Sequence, residues 1–260
     1  MPEATLYGID TNEQHINEAQ SLGVIDAAAK LQDLEKADLV VLAIPVDIAV
    51  KVLPEVLNHI GENTIVIDMG STKQAICEVV ATHPQRRNFL ACHPIAGTEF
   101  SGPSAAIEGL YDGKTNIVCE VEKTAFKLQE KMLELFKQMG MRMRYMDPIS
   151  HDKHIAYMSH LSHISAFMLG KTVINKEKNE RDIFDMAGSG FASTVRLAKS
   201  NPVTWTSIFK QNKTNVLETL EEYIANLNEF KTLLETDNFQ GVHDEMENTN
   251  HIKEILNGIK

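Results

Sequence analysis

The 260-residue chain sets 25 Lys and Arg against 36 Asp and Glu, a formal net charge of −11. That balance excludes nucleic acid and anionic membrane surfaces as partners drawn in at long range. No uncharged apolar run reaches the roughly 18 residues of a membrane span, and no signal-peptide pattern opens the chain. Cys77, Cys92 and Cys119 lack CxxC spacing, which fits reduced thiols in a cytoplasmic protein better than a disulfide or zinc framework.

In chain order, Ala4 to Asp10 reads as a strand ending in a carboxylate. Thr11-Asn12-Glu13 follows as a helix start, with Leu22-Gly23 as its stop. Asp38 to Pro45 is an almost unbroken apolar run, expected of a parallel strand covered on both faces. Ile48, Val52, Val56 and Ile60 then recur at helical spacing around Pro54, and Thr64 to Asp68 is the next buried strand. Met69-Gly70-Ser71-Thr72-Lys73 is the loop into a further helix. Asn88 to Cys92 is strand-like and leads into the loop His93-Pro94-Ile95-Ala96-Gly97-Thr98-Glu99. Thr115–Val121 and Arg142–Met146 flank an amphipathic helix from Thr124 to Met139. Alternating β and α units of this length imply a doubly wound parallel sheet, with ligand at the carboxyl ends of its strands.

Asp10 sits where such a sheet places the acid that binds the adenosine ribose, and no Arg follows closely to receive a 2′-phosphate, which favours NAD over NADP. A G-x-G-x-x-G loop would lie about 20 residues before this acid, and the sequence contains none. The expectation is a Rossmann-like sheet whose first strand and phosphate-binding loop are missing, and hence weakened cofactor binding. His93 is the side-chain type that shares a proton near neutral pH. Gly97 and Gly102 let the loop behind it turn tightly, and Glu99 adds a carboxylate there.

From Ser150 onward the period turns helical, with Ile155, Met158, Leu161, Ile164 and Met168 as a core-seeking stripe. His160 and His163, three residues apart, share one face and can look into a cleft. A metal site using them with His151 and His154 is the weaker alternative, since no H-E-x-x-H pattern accompanies them. Arg196, flanked by apolar residues, suits a two-point grip on a carboxylate. Trp205 reads as a core residue. The acidic helices from Gln211, with Val216, Leu220, Ile224, Leu227 and Leu234, suit a bundle or a second subunit.

Taken in order, Tyr7-Gly8-Ile9-Asp10, Asp68 to Lys73, His93 to Glu99, Ser159-His160-Leu161-Ser162-His163 and Arg196 to Trp205 resemble the prephenate dehydrogenase family of tyrosine biosynthesis. The resemblance implies a dinucleotide-binding domain over residues 1–148 and an all-helical substrate-binding and dimerisation domain over 149–260. By that likeness His93 draws a proton from the 4-hydroxyl of the substrate ring, with Ser71 or Thr72 between nicotinamide and substrate. Arg196 holds a carboxylate, and His163, His160, Gly97 and Glu99 line the substrate pocket. Asp10, Ile44, Pro45 and Ser71 face NAD. A homodimer through the C-terminal helices is expected, with no metal. The same likeness leaves open prephenate or arogenate as substrate, and a dimer impaired by the absent glycine loop.

Overall fold

The computed structural model describes residues 4–98, 100–178 and 182–258. Two compact units divide the chain, Met1–Lys213 and Thr214–Lys260.

The described residues of the first unit form seven strands. β1 (Tyr7–Gly8) and β2 (Ala27–Ala28) make a short parallel pair around α1 (Glu13–Ser21), which Asn12 caps by accepting from the Gln14 amide. β3 (Leu39–Leu42), β4 (Ile65–Asp68), β5 (Phe89–Pro94), β6 (Thr115–Cys119) and β7 (Arg142–Met146) form the main sheet in that order. Its alternating side chains feed two cores. Val66, Phe89, Ala91 and Cys119 face α2 (Val46–His59) and α3 (Gln74–Val79), whereas Ile65, Ile67, Leu90 and Val118 face α4 (Phe126–Gln138).

Four expectations change. The sheet is mixed, because β5 and β6 run antiparallel. Among its described residues the connection between them holds only a 3₁₀ turn at Pro103–Ala105, and without a crossover helix there the chain returns antiparallel. His93 lies within β5 rather than in the loop behind it, and it is buried. In that loop Gly102 adopts φ +89°, whereas Gly97 faces open space at an ordinary φ, so only Gly102 meets a backbone demand for glycine. Along α2 the buried stripe is Val46, Ala49, Leu53, Val56 and Leu57, while Ile48 is exposed.

The sheet is followed by α5 (Pro148–Ile155), a π-helical turn over Ala156–His160, and α6 (Leu161–Glu177). Asp147 caps α5 by accepting from the Ser150 amide. Here the expected apolar stripe inverts: Met158 is 71% exposed and Met168 49%, while His160, His163 and Ala166 are buried. The π turn inserts into the 3.6-residue period and rotates the register, so the histidines turn inward. α5 packs on α3, and α8 (Pro202–Gln211) packs on α2, where the Ser207 hydroxyl donates to Asp47 Oδ1 (2.6 Å). Between them lie α7 (Ser189–Thr194) and a 3₁₀ turn, Arg196–Lys199, seated on α6.

The second unit comprises most of α9 (Lys213–Glu235), then α10 (Phe239–Thr249) and α11 (Ile252–Gly258). Ile224, Leu227 and Leu234 of α9 are exposed in the single chain.

Candidate active site

The carboxyl ends of β4 and β5 carry buried polar residues instead of hydrocarbon. Asp68 ends β4, accepts from the Cys92 amide of β5 (3.0 Å) and binds the ammonium of Lys73, and both side chains are fully enclosed. Gly70 is required where this loop closes, since a Cβ there would come within 2.9 Å of Val46 Cγ1 and 3.1 Å of Asp68 Oδ2. Ser71 is half-buried and Thr72 buried on the same loop.

Beside the loop stands the middle of α5. Asp152 accepts the backbone N–H of Lys73 at Oδ1 (2.7 Å) and that of Gln74 at Oδ2 (3.0 Å). The same Oδ1 lies 2.7 Å from His151 Nδ1, and His151 Nε2 lies 2.8 Å from His93 Nδ1. Asp152, His151 and His93 therefore form one buried chain, tied at its acidic end to the loop bearing Ser71 and Thr72.

A second branch leaves the same carboxylate residue. Asn212 Nδ2 donates to the Asp152 carbonyl (2.6 Å) and lies 3.2 Å from His160 Nδ1. Because that amide nitrogen is a donor, His160 Nδ1 is the acceptor and Nε2 carries the hydrogen. His160 Nε2 is buried and finds no hydrogen-bond partner among the described residues, which marks it as a donor turned to a ligand or to water. His163 Nδ1 accepts no proton from its neighbour; it donates to the Ser159 carbonyl (2.9 Å), and its ring stacks on Trp205 at 3.3 Å between centroids and 24° between planes. His160 meets the same indole edge-on at 5.9 Å. Trp205 is thus a half-buried wall between two histidines rather than a core residue.

Burial holds these imidazoles neutral. Desolvation pushes His93 well below its ordinary value, with the nearby His151 and Lys73 adding to the effect. His151 is lowered by burial against the opposing pull of Asp152, and burial pushes His160 down to about 4. His163 is lowered by burial, and the Arg196 charge acts in the same direction. A neutral imidazole with a free lone pair is what a proton acceptor requires.

Of the residues expected from sequence, His93, His151, His160 and His163 converge with Thr72 and Ser71 on this end of the sheet. Arg196 is exposed on the turn seated against α6, close enough for its charge to act on His163. Asp10 lies two residues beyond β1, where the Asn12 amide (2.8 Å) and His15 Nδ1 (3.2 Å) hold its carboxylate below the usual range. It remains accessible on the surface. Ile44 and Pro45 form the turn from β3 into α2. Glu99 lies outside the described residues. Sequence reasoning overlooked Asp152 and Asn212, and weighed His151 only as a metal ligand. The adjacent His151-Asp152 pair, three and four residues after the Pro that starts a helix, was the available signal.

Known proteins match most of the chain. Residues 1–145 match the family described as prephenate dehydrogenase, nucleotide-binding domain, and residues 147–248 match prephenate dehydrogenase, dimerization domain. The prephenate dehydrogenase of Bacillus subtilis is 30% identical over 93% of the chain, which spans 66% of that relative's length. The cyclohexadienyl dehydrogenase of Zymomonas mobilis is 28% identical over 90% of the chain and 80% of its own length. A crystal structure of prephenate dehydrogenase from Aquifex aeolicus, in complex with hydroxyphenyl propionate and NAD+, superposes with a TM-score of 0.84 at 30% identity, over 98% of this chain and 90% of that one.

Proposed function

The chain belongs to the prephenate dehydrogenase family, and on that premise we propose that it carries out the NAD-dependent oxidative decarboxylation of prephenate to 4-hydroxyphenylpyruvate. The observation that carries the reading is the buried chain from His93 through His151 to Asp152, anchored on the Lys73 and Gln74 amides of the loop that holds Ser71 and Thr72.

The residues present fit a dinucleotide at two points. Asp10 keeps carboxylate oxygen accessible for a ribose diol, and Ser71 offers a half-buried hydroxyl at the end of β4. Ile44 and Pro45 supply an apolar edge between them in chain order. No Arg lies in the turn after Asp10, which supports NAD over NADP. When bound, NAD supplies the hydride acceptor. His93 accepts the 4-hydroxyl proton as hydride leaves the ring carbon that bears it. The ring carboxylate departs as CO2 and leaves its bonding pair in the ring, and the phenolate oxygen recovers the proton from His93. Aromatisation supplies much of the driving force, so the protein's part is orientation and one shared proton. Arg196 grips a substrate carboxylate, Thr72 and Ser71 separate cofactor from substrate, and His160, His163 and Gly97 line the pocket.

The active form in this reading is a cytoplasmic homodimer. The exposed Ile224, Leu227 and Leu234 repeat at helical spacing along α9, and the three cysteines are free and buried. Among the described residues no helix is long and apolar enough to cross a membrane.

The test is reduction of NAD and of NADP by the 260-residue chain, with prephenate and with arogenate. We expect turnover with prephenate and NAD, yielding CO2 and 4-hydroxyphenylpyruvate. Failure to turn over either acid with either cofactor defeats the assignment.

A further inference from the structure

Within β5, His93 has two ring nitrogens, and only one can face a substrate while the other meets His151. The hydrogen positions follow from the far end of the chain. Asp152 can only accept when ionised, and both its oxygens already accept backbone N–H groups. His151 Nδ1, 2.7 Å from Oδ1, is therefore the protonated nitrogen. A neutral His151 then has a bare Nε2, which accepts from Nδ1–H of His93 across 2.8 Å. His93 is left with its lone pair on Nε2.

We infer that His151 and Asp152 are positioning residues that lock His93 in the Nδ1–H tautomer, so that its Nε2 is the atom that takes the substrate hydroxyl proton. This rests on the proposed reaction and specifies which atom performs its proton step. Three features carry it beyond a simple hydrogen bond. The carboxylate is held against rotation by two backbone amides, one on each oxygen. All three members are buried, so water does not compete for the bonds. The proton balance also closes: the proton moves from the substrate oxygen to Nε2 and returns to the phenolate, while the Nδ1–H bond to His151 stays intact throughout. Lys73 opposes a positive charge on the His93 ring in that interval, whereas Asp152 and Asp68 favour positive charge on the adjoining His151 ring. The hydrogen-bonded chain joins the proton acceptor to the loop of Ser71 and Thr72 in one unit.

The experiment has a spectroscopic arm and a kinetic arm. In the wild-type protein with ¹⁵N-labelled histidine, the side-chain nitrogen shifts of His93 and His151 should both report Nδ1–H, and those of His160 Nε2–H. Finding His93 as the Nε2–H tautomer overturns the proposal, whatever the variants do. Asp152→Asn must set an amide N–H against one of its donors, so kcat with prephenate should fall between about 10- and 10⁴-fold. Its acid limb in the pH profile should move to lower pH, with little change in KM for prephenate. His151→Gln, whose amide oxygen can still accept from His93 Nδ1–H, should retain more activity than His151→Phe. Equal loss in those two, or an unchanged kcat and acid limb in Asp152→Asn, overturns the role. Wild-type turnover measured alongside separates this failure from failure of the dehydrogenase reading itself.

Discussion

Two regions of the first unit are equally buried and differently built. Beneath α2 and α3 the sheet packs Leu53, Val56, Leu57, Val66 and Phe89, a body of hydrocarbon with no hydrogen bonds to satisfy. A few residues along the same strands, at their carboxyl ends, Asp68, Lys73, His93, His151, Asp152, Asn212 and His160 occupy an interior that is almost wholly polar. Burial alone does not distinguish core from site. What distinguishes them is what the burial is compensated by: dispersion and lost apolar surface in the first, directed bonds between fixed partners in the second.

Substitution should separate the two. The largest effect is expected at His93→Asn, which should lower kcat by roughly 10² to 10⁴ and leave the urea midpoint near that of the wild type. An unchanged kcat removes His93 from the chemistry. Lys73→Met should be next, since it strands the enclosed Asp68 carboxylate, and loss of one partner of such a pair destabilises by about 3–5 kcal/mol. Equilibrium urea unfolding measures it, and a cost below 1 kcal/mol would show that water reaches the pair. Leu53→Ala, in the hydrocarbon region, should cost about 2–5 kcal/mol with kcat per folded molecule unchanged. A kcat that falls with Leu53 would couple the two regions.

The last of these effects is one of pH. His160 is lowered from its ordinary 6.5 to about 4 in the folded chain, so between those values the unfolded chain binds the extra proton. Its contribution to stability is therefore complete above pH 6.5 and is lost as pH falls through about 4, to an extent of about 3 kcal/mol. His93 and His151 shift in the same direction. Unfolding free energies at pH 7 and pH 5 should differ accordingly, and His160→Gln should flatten the slope. An identical slope in that variant would mean that His160 is not among the groups responsible.

The comparison also explains what could be read in advance. Apolar runs such as Leu39–Leu42 and Ile65–Asp68 announce buried strands because pattern and burial agree there. The α5–α6 stretch misled for the opposite reason. Met158 and Met168 look like core and are exposed, while the histidines between them are buried, because the π turn alters the helical register and because hydrogen bonds of His160 with Asn212 and of His163 with the Ser159 carbonyl repay polar burial. Trp205 failed similarly: a lone tryptophan reads as packing, and its partner His163 is invisible until α6 and α8 meet.

From the sequence by itself came the α/β class, the positions of every described strand except β2, the helical second half, and the His93, Ser71–Thr72 and Arg196 candidates, since these depend on periodicity and on side-chain chemistry that is local. The antiparallel turn of β6, the place of His93 inside a strand and the Asp152–His151–His93 chain were decided only by tertiary structure. Residues 68, 73, 93, 151, 152 and 212 meet through packing of distant elements, and no local pattern encodes which nitrogen finds which oxygen.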